Sequence, residues 1–135
     1  GKGGQKHLQT LQAFKALREA VPSLLKHGRR GWPHRSEVKI IDGRLYWNWE
    51  AWKMMSPSAK FIQLTAVTAV LRGRRTKVLK KLNKSKEDVC FAIVTASKEL
   101  NFSADSAEQR EVWCSGLQVM VDQLQAKHSY WEKRF

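Results

Sequence analysis

From His7 to Ala20, apolar side chains at Leu8, Leu11, Phe14 and Leu17 recur every three residues between Gln, Lys and Glu, which predicts a short amphipathic helix. Pro22 ends it, because a residue before proline is steered out of the helical region. The period then falls from three to two. "SEVKII" and "RLYWNW" alternate on either side of Asp42-Gly43, a strong two-residue hairpin signal. In the second of these runs the alternation sets Leu45, Trp47 and Trp49 on one face, with Arg44 and Tyr46 on the other.

"WKMMSPSAK" reads as loop around Ser56-Pro57-Ser58. "KFIQLTAVTAV" is rich in β-branched residues and is expected to run as one strand to Gly73. A basic segment, "RRTKVLKKLNKSKED", precedes a strand "VCFAIVTAS", which turns at Ala96 to Lys98 into "KELNF". The last element changes period again. Asp105 with Glu108 forms a capping-box-like start, after which Val112, Trp113, Leu117, Met120, Val121 and Leu124 share one helical face. Short strands with one closing helix make an α+β plan.

With 135 residues and 42% hydrophobic content, the chain buries one modest core. The expected division is an N-terminal segment 1–22, one domain 23–127 and a tail 128–135. Cys90 and Cys114 have no neighbouring Cys or His at metal-ligand spacing and read as ordinary thiols in a reducing compartment. No cofactor is expected. No run of about 18 apolar residues and no signal peptide is visible. The start GKGGQ puts Gln5 where a myristoylation signal wants Ser or Thr.

Charge changes the picture more than composition does. Net charge is +13, and residues 1–86 carry 20 Lys/Arg against four acids while residues 87–135 carry five against eight. Such a field draws polyanions, either nucleic acid or an anionic membrane. Inside "SLLKHGRRGWPHRSEVKII" an indole, Trp32, lies among Lys26, Arg29, Arg30, Arg35 and Lys39. If Gly28 to Pro33 is a hairpin loop, Arg29 and Arg30 sit at its tip and Lys26 faces Arg35 or Lys39 across the strands. An indole between Gly31 and Pro33 suits the headgroup boundary of a bilayer, the alternative being that it folds back as a lid over the sandwich. His27 and His34 read as surface histidines flanking the tip. Lys53, Arg74 and Arg75 complete the candidate headgroup contacts, and Lys77 to Lys86 reads as a solvated helix or loop that supplies long-range attraction.

The order of elements resembles a pleckstrin homology domain. The residues that carry the likeness are "GRLYWNW" for a third strand, "IQLTAVTAVLRG" for a fourth, "VCFAIVTASKELNFSADS" for the sixth and seventh, and "AEQREVWCSGLQVMV" with Trp113 for the helix. It is particularly similar to the phospholipase C delta type over residues 20–127, and less closely to the acylated pleckstrin-homology proteins of apicomplexan parasites. The resemblance implies a bent seven-stranded antiparallel sandwich or barrel capped by a C-terminal helix, here with an extra N-terminal helix. It also implies a non-catalytic module on the cytosolic face of a membrane, with an anionic phospholipid as partner. A protein partner is the alternative the family offers.

Inositol-phosphate binders of the family carry a Lys, a loop, then Lys or Arg, one residue, and Arg. Lys26 and Trp32 fit that pattern, but "HRSEVKII" has no Arg-x-Arg, which favours phosphatidic acid over phosphoinositides. "GRLYWNW" lacks the aromatic stacking signature of an RNA-recognition sheet, so nucleic acid is not the expected partner. A monomer is expected.

Overall fold

A computed structural model describes residues 2–20, 23–47 and 60–134, with side chains described for 10–20, 23–47 and 60–129. The chain opens with helix α1, Lys2–Glu19, which starts earlier than the periodicity predicts. Steps of three residues advance 300° around a helix, so the apolar stripe drifts by about 60° per step. Leu17 is accordingly in the core while Leu11 stays exposed.

Two antiparallel sheets follow. The larger has the order β2-β1-β8-β7-β6, built from β1 (Ser23–His27), β2 (His34–Glu37), β6 (Val67–Arg72), β7 (Cys90–Thr95) and β8 (Glu99–Ser103). The smaller has the order β3-β4-β5, from β3 (Lys39–Ile41), β4 (Arg44–Tyr46) and β5 (Phe61–Gln63). β2 and β3 are one strand interrupted at Val38, which passes from one sheet to the other and brings the strand count to the expected seven. The sheets pack as a sandwich and do not close into a barrel among the described residues.

Asp42 and Gly43 both take positive φ, 51° and 75°, and join Ile41 to Arg44 as a two-residue hairpin of the primed type. The β-branched run expected to be one strand is two. A 3-10 turn at Leu64–Ala66 separates β5 from β6 and hands the chain from the small sheet to the large one. Leu64 at that corner is fully buried, so the break is fixed by the core.

The core is filled from both sheets and from helix α3 (Ala107–Arg134), with Leu24, Leu45, Trp47, Phe91, Phe102, Trp113 and Leu117 in one cluster. Tyr46, on the opposite face of β4 to Leu45, is buried as well, tilted against Phe61 at 5.4 Å between ring centres. Helix α3 runs on to Arg134, through the segment expected to be a tail. Its first turn is capped by Ser106, whose Oγ accepts from Gln109 N at 3.1 Å. Asp105 is displaced from that expected role and pairs with Arg35. The interface between α1 and α3 closes at Gly116, where a Cβ would lie 2.7 Å from Leu17 Cβ.

The basic segment after β6 is anchored and not merely solvated. Helix α2 (Lys77–Lys80) drops Leu79 onto Cys90 and Ala92, making a second small cluster on the outer face of the large sheet. Thr76 caps α2 by accepting from Leu79 N and donates its own hydroxyl to Asn101 Oδ1 at 2.6 Å. Cys90 and Cys114 are free and buried, and burial pushes the Cys114 thiol up to about 11.

Candidate functional site

Antiparallel pairing of β1 with β2 sets Lys26 opposite His34 and Leu25 opposite Arg35. Side chains alternate across a strand. Leu24 and Lys26 therefore share the inner face, Leu24 in the core and Lys26 at its rim, while Arg35 points to the outer face. The expectation that Lys26 faces Arg35 or Lys39 is corrected by this register. Arg35 Nη1 instead reaches Asp105 Oδ1 at 3.0 Å, and Lys39 lies on the small sheet, opposite Tyr46.

Between the strands, residues 28–33 form the loop, with Gly31 at φ 83°. Arg29 and Arg30 are exposed, and Trp32 in the same loop is 87% exposed. His27 is not a surface residue as expected. It is 8% exposed, and its Nε2 lies 2.8 Å from Ser103 Oγ. Burial lowers its pKa, which favours the neutral ring. His34 remains exposed.

Lys60 and Lys98, from distant parts of the chain, lie close enough to Lys26 for their charges to act on it. The Lys26 ammonium is held below its ordinary pKa by burial first, and then by the positive charges of Lys60 and Lys98. Lys60 precedes β5, and Lys98 ends the β7–β8 turn, where its backbone carbonyl accepts from Thr95 N at 2.8 Å. The Lys98 ammonium stands 5.2 Å over the ring of Trp47, which itself belongs to the core. None of these three lysines has an ion-pair partner among the described residues. Like charges gathered without a counter-charge cost free energy that a bound anion removes.

Sequence reading did not single out Lys60 and Lys98, because only the fold brings their loops to Lys26. The remaining candidates separate. Arg74 Nε donates to Glu87 Oε2 at 2.9 Å, and its Nη1 donates to the carbonyls of Leu82 and Lys80 at 2.9 and 3.4 Å. Its neighbour Arg75 is exposed. Lys53 lies outside the described residues, as do Trp49 and Trp52.

No family model and no curated protein matches the sequence. Solved structures do match by shape. The N-terminal PH domain of human ARAP2 covers 76% of this chain and 77% of its own, with a TM-score of 0.54 at 22% identity. The chain has the pleckstrin homology fold. Inner Membrane Complex Sub-compartment Protein 1 from Toxoplasma gondii is similar over 85% of this chain and 92% of that one, with a TM-score of 0.61 at 15% identity. The PH domain from TgAPH gives 0.56 at 16% identity over 86% and 91%. In the pleckstrin homology frame, Lys26, Trp32, Lys60 and Lys98 come from three separate stretches, the β1–β2 hairpin, the entry to β5 and the β7–β8 turn.

Proposed function

We propose that this pleckstrin homology module binds anionic phospholipid headgroups at a membrane surface, with phosphatidic acid preferred. The observation that carries the reading is Trp32, 87% exposed in a loop whose other large side chains are Arg29 and Arg30. An indole prefers the interfacial region of a bilayer. Each cation near an anionic leaflet adds about 1 kcal/mol. Arg29, Arg30 and the Lys26, Lys60 and Lys98 group together supply reversible attraction and no permanent anchor. Among the described residues no helix is long and apolar enough to cross a membrane, so the contact proposed is peripheral.

The choice of lipid follows from the kind of donor. A phosphomonoester at the membrane plane is served by a few point charges, and lysine supplies those, whereas a planar fork of arginine suits bidentate recognition. The group below the loop is three lysines, and Arg35, the nearest fork on β2, is turned toward Asp105. Arg75 adds charge from the β6–α2 turn.

Sedimentation with phosphatidylcholine vesicles, alone or carrying phosphatidic acid or a phosphoinositide at matched charge, tests the reading. Binding is expected with phosphatidic acid and little with phosphatidylcholine alone. Failure to bind either anionic vesicle would point to a protein partner instead, and tighter binding to the phosphoinositide would reverse the order of preference.

A further inference from the structure

At the opposite end of the β2–β3 strand from the Trp32 loop, a cavity of about 410 Å³ opens between α1, α3 and residues 38–40. Its walls include Phe14, Leu17, Ile40, Trp113 and Met120. Two further lining residues, Arg18 and Lys39, are exposed cations, and none of the lining residues among those described is an acid. The lining thus couples an apolar interior to a positive rim. That pairing fits a ligand with one apolar and one anionic end.

A second, independent feature belongs to the same wall. Trp113 is 3% exposed, and its indole Nε1 has no hydrogen-bond partner among the described residues. Buried donors are nearly always satisfied, and an orphan carries the full cost of its lost hydration. The Nε1 atom is screened from the open volume, so it would report a molecule in the cavity through the ring that lines it and not by a direct hydrogen bond. The volume falls at the small end of the range of about 300–1,000 Å³ for sites that enclose small molecules, which suits one hydrocarbon chain better than two.

We propose that this cavity binds a single-chain amphiphile with an anionic head, the chain lying along Phe14, Ile40 and Met120 and the head held by Arg18 and Lys39. The head is a carboxylate, as in a free fatty acid, or a phosphate, as in a lysophospholipid. Of the headgroup contacts expected from the sequence only Lys39 lines this site, and none of the residues invoked in the proposed function does, so the site stands or falls separately from that reading.

The test uses the full chain labelled with 15N-tryptophan, with the Trp113 indole resonance assigned by comparison with Trp113→Phe. Laurate and lauroyl lysophosphatidate are titrated below their micellar concentrations. A saturable shift of the Trp113 resonance with either probe supports the proposal, and the tighter probe identifies the head. Decanoate should bind up to about 15-fold more weakly than laurate, from two fewer buried methylenes. Arg18→Glu, at an exposed position, should weaken laurate at least five-fold and leave binding of uncharged dodecanol unchanged. Ala20→Phe, at another lining residue, should abolish the shift while circular dichroism shows the fold retained. Trp32→Ala should leave the laurate titration as it is. Absence of a saturable Trp113 shift with both probes overturns the proposal, as does dodecanol binding as tightly as laurate.

Discussion

Arg35 Nη1 lies 3.0 Å from Asp105 Oδ1, an ion pair that joins β2 to the start of α3 across 70 residues of sequence. Both side chains are half exposed, so the pair itself contributes at most about 1 kcal/mol to stability. Its larger effect is on charge next to the loop. Asp105→Ala frees the Arg35 guanidinium and removes an acid, and affinity for phosphatidic acid vesicles should rise by up to about five-fold at low salt, from roughly 1 kcal/mol per charge near the surface. The gain should shrink as ionic strength rises. Sedimentation at two salt concentrations measures this, and an unchanged affinity would remove Arg35 from the membrane-facing set.

Trp32→Ala separates binding from folding. The side chain is 87% exposed, so its removal should alter the unfolding free energy by less than about 0.5 kcal/mol. Vesicle affinity should nevertheless fall by about ten-fold or more, since shallow burial of part of an indole at about 25 cal/mol per Å² is worth more than 1.4 kcal/mol. Equal affinity of the variant and the parent chain would exclude insertion of the loop.

For Lys26, pH moves binding and stability in opposite directions. Its folded pKa is lowered from 10.5 by burial and by the nearby positive charges of Lys60 and Lys98. Between the lowered value and 10.5 the unfolded chain holds more protons than the folded one, so stability contributed at this site rises with pH across that window. Anion affinity needs the ammonium and should fall across the same window. A bound phosphate favours the charged form and should raise the Lys26 pKa. Heteronuclear NMR of the lysine side chain, with and without saturating glycerol 3-phosphate, reads this. An unmoved pKa at saturation places the anion elsewhere.

What the residues disclose ahead of the fold depends on how local the governing physics is. The Asp42-Gly43 hairpin is legible because two successive positive φ angles select those residue types. The burial of Trp113 and Leu117 is legible because helical periodicity marks their face. The single run from Phe61 to Arg72 hides its break, since Leu64 turns the chain only to meet a core assembled from distant elements. The candidate site divides the same way. That Trp32 lies in a loop follows from its Gly and Pro neighbours, but its exposure is set by the fold, and the side of the sheet that Arg35 takes depends on strand parity, where a slip of one residue inverts every side chain. Lys60 and Lys98 meet Lys26 through loop placement alone.

Arg74 and its neighbour Arg75 make the sharpest contrast between a structural cation and one available to a ligand. The Arg74 side chain is 17% exposed, and it ties Glu87, Leu82 and Lys80 to the turn that follows Gly73. Its backbone N–H also donates to Glu87 Oε2 at 3.2 Å. Gly73 reinforces the arrangement, because its φ of 89° disfavours any side chain and a Cβ there would collide with the Glu87 carboxylate. Arg74→Ala would leave the Leu82 and Lys80 carbonyls without this side-chain donor and the Glu87 carboxylate with only the backbone N–H of residue 74, at a cost of about 2 kcal/mol, or a fall of roughly 6 °C in Tm for a chain of this length. Arg75→Ala should leave Tm within about 1 °C and reduce vesicle affinity by up to about five-fold, the effect of one surface charge. Thermal unfolding followed by sedimentation of the folded variants distinguishes the two residues. A Tm for Arg74→Ala within a degree of the parent would show that this guanidinium is not committed to the fold and would return it to the set of headgroup contacts.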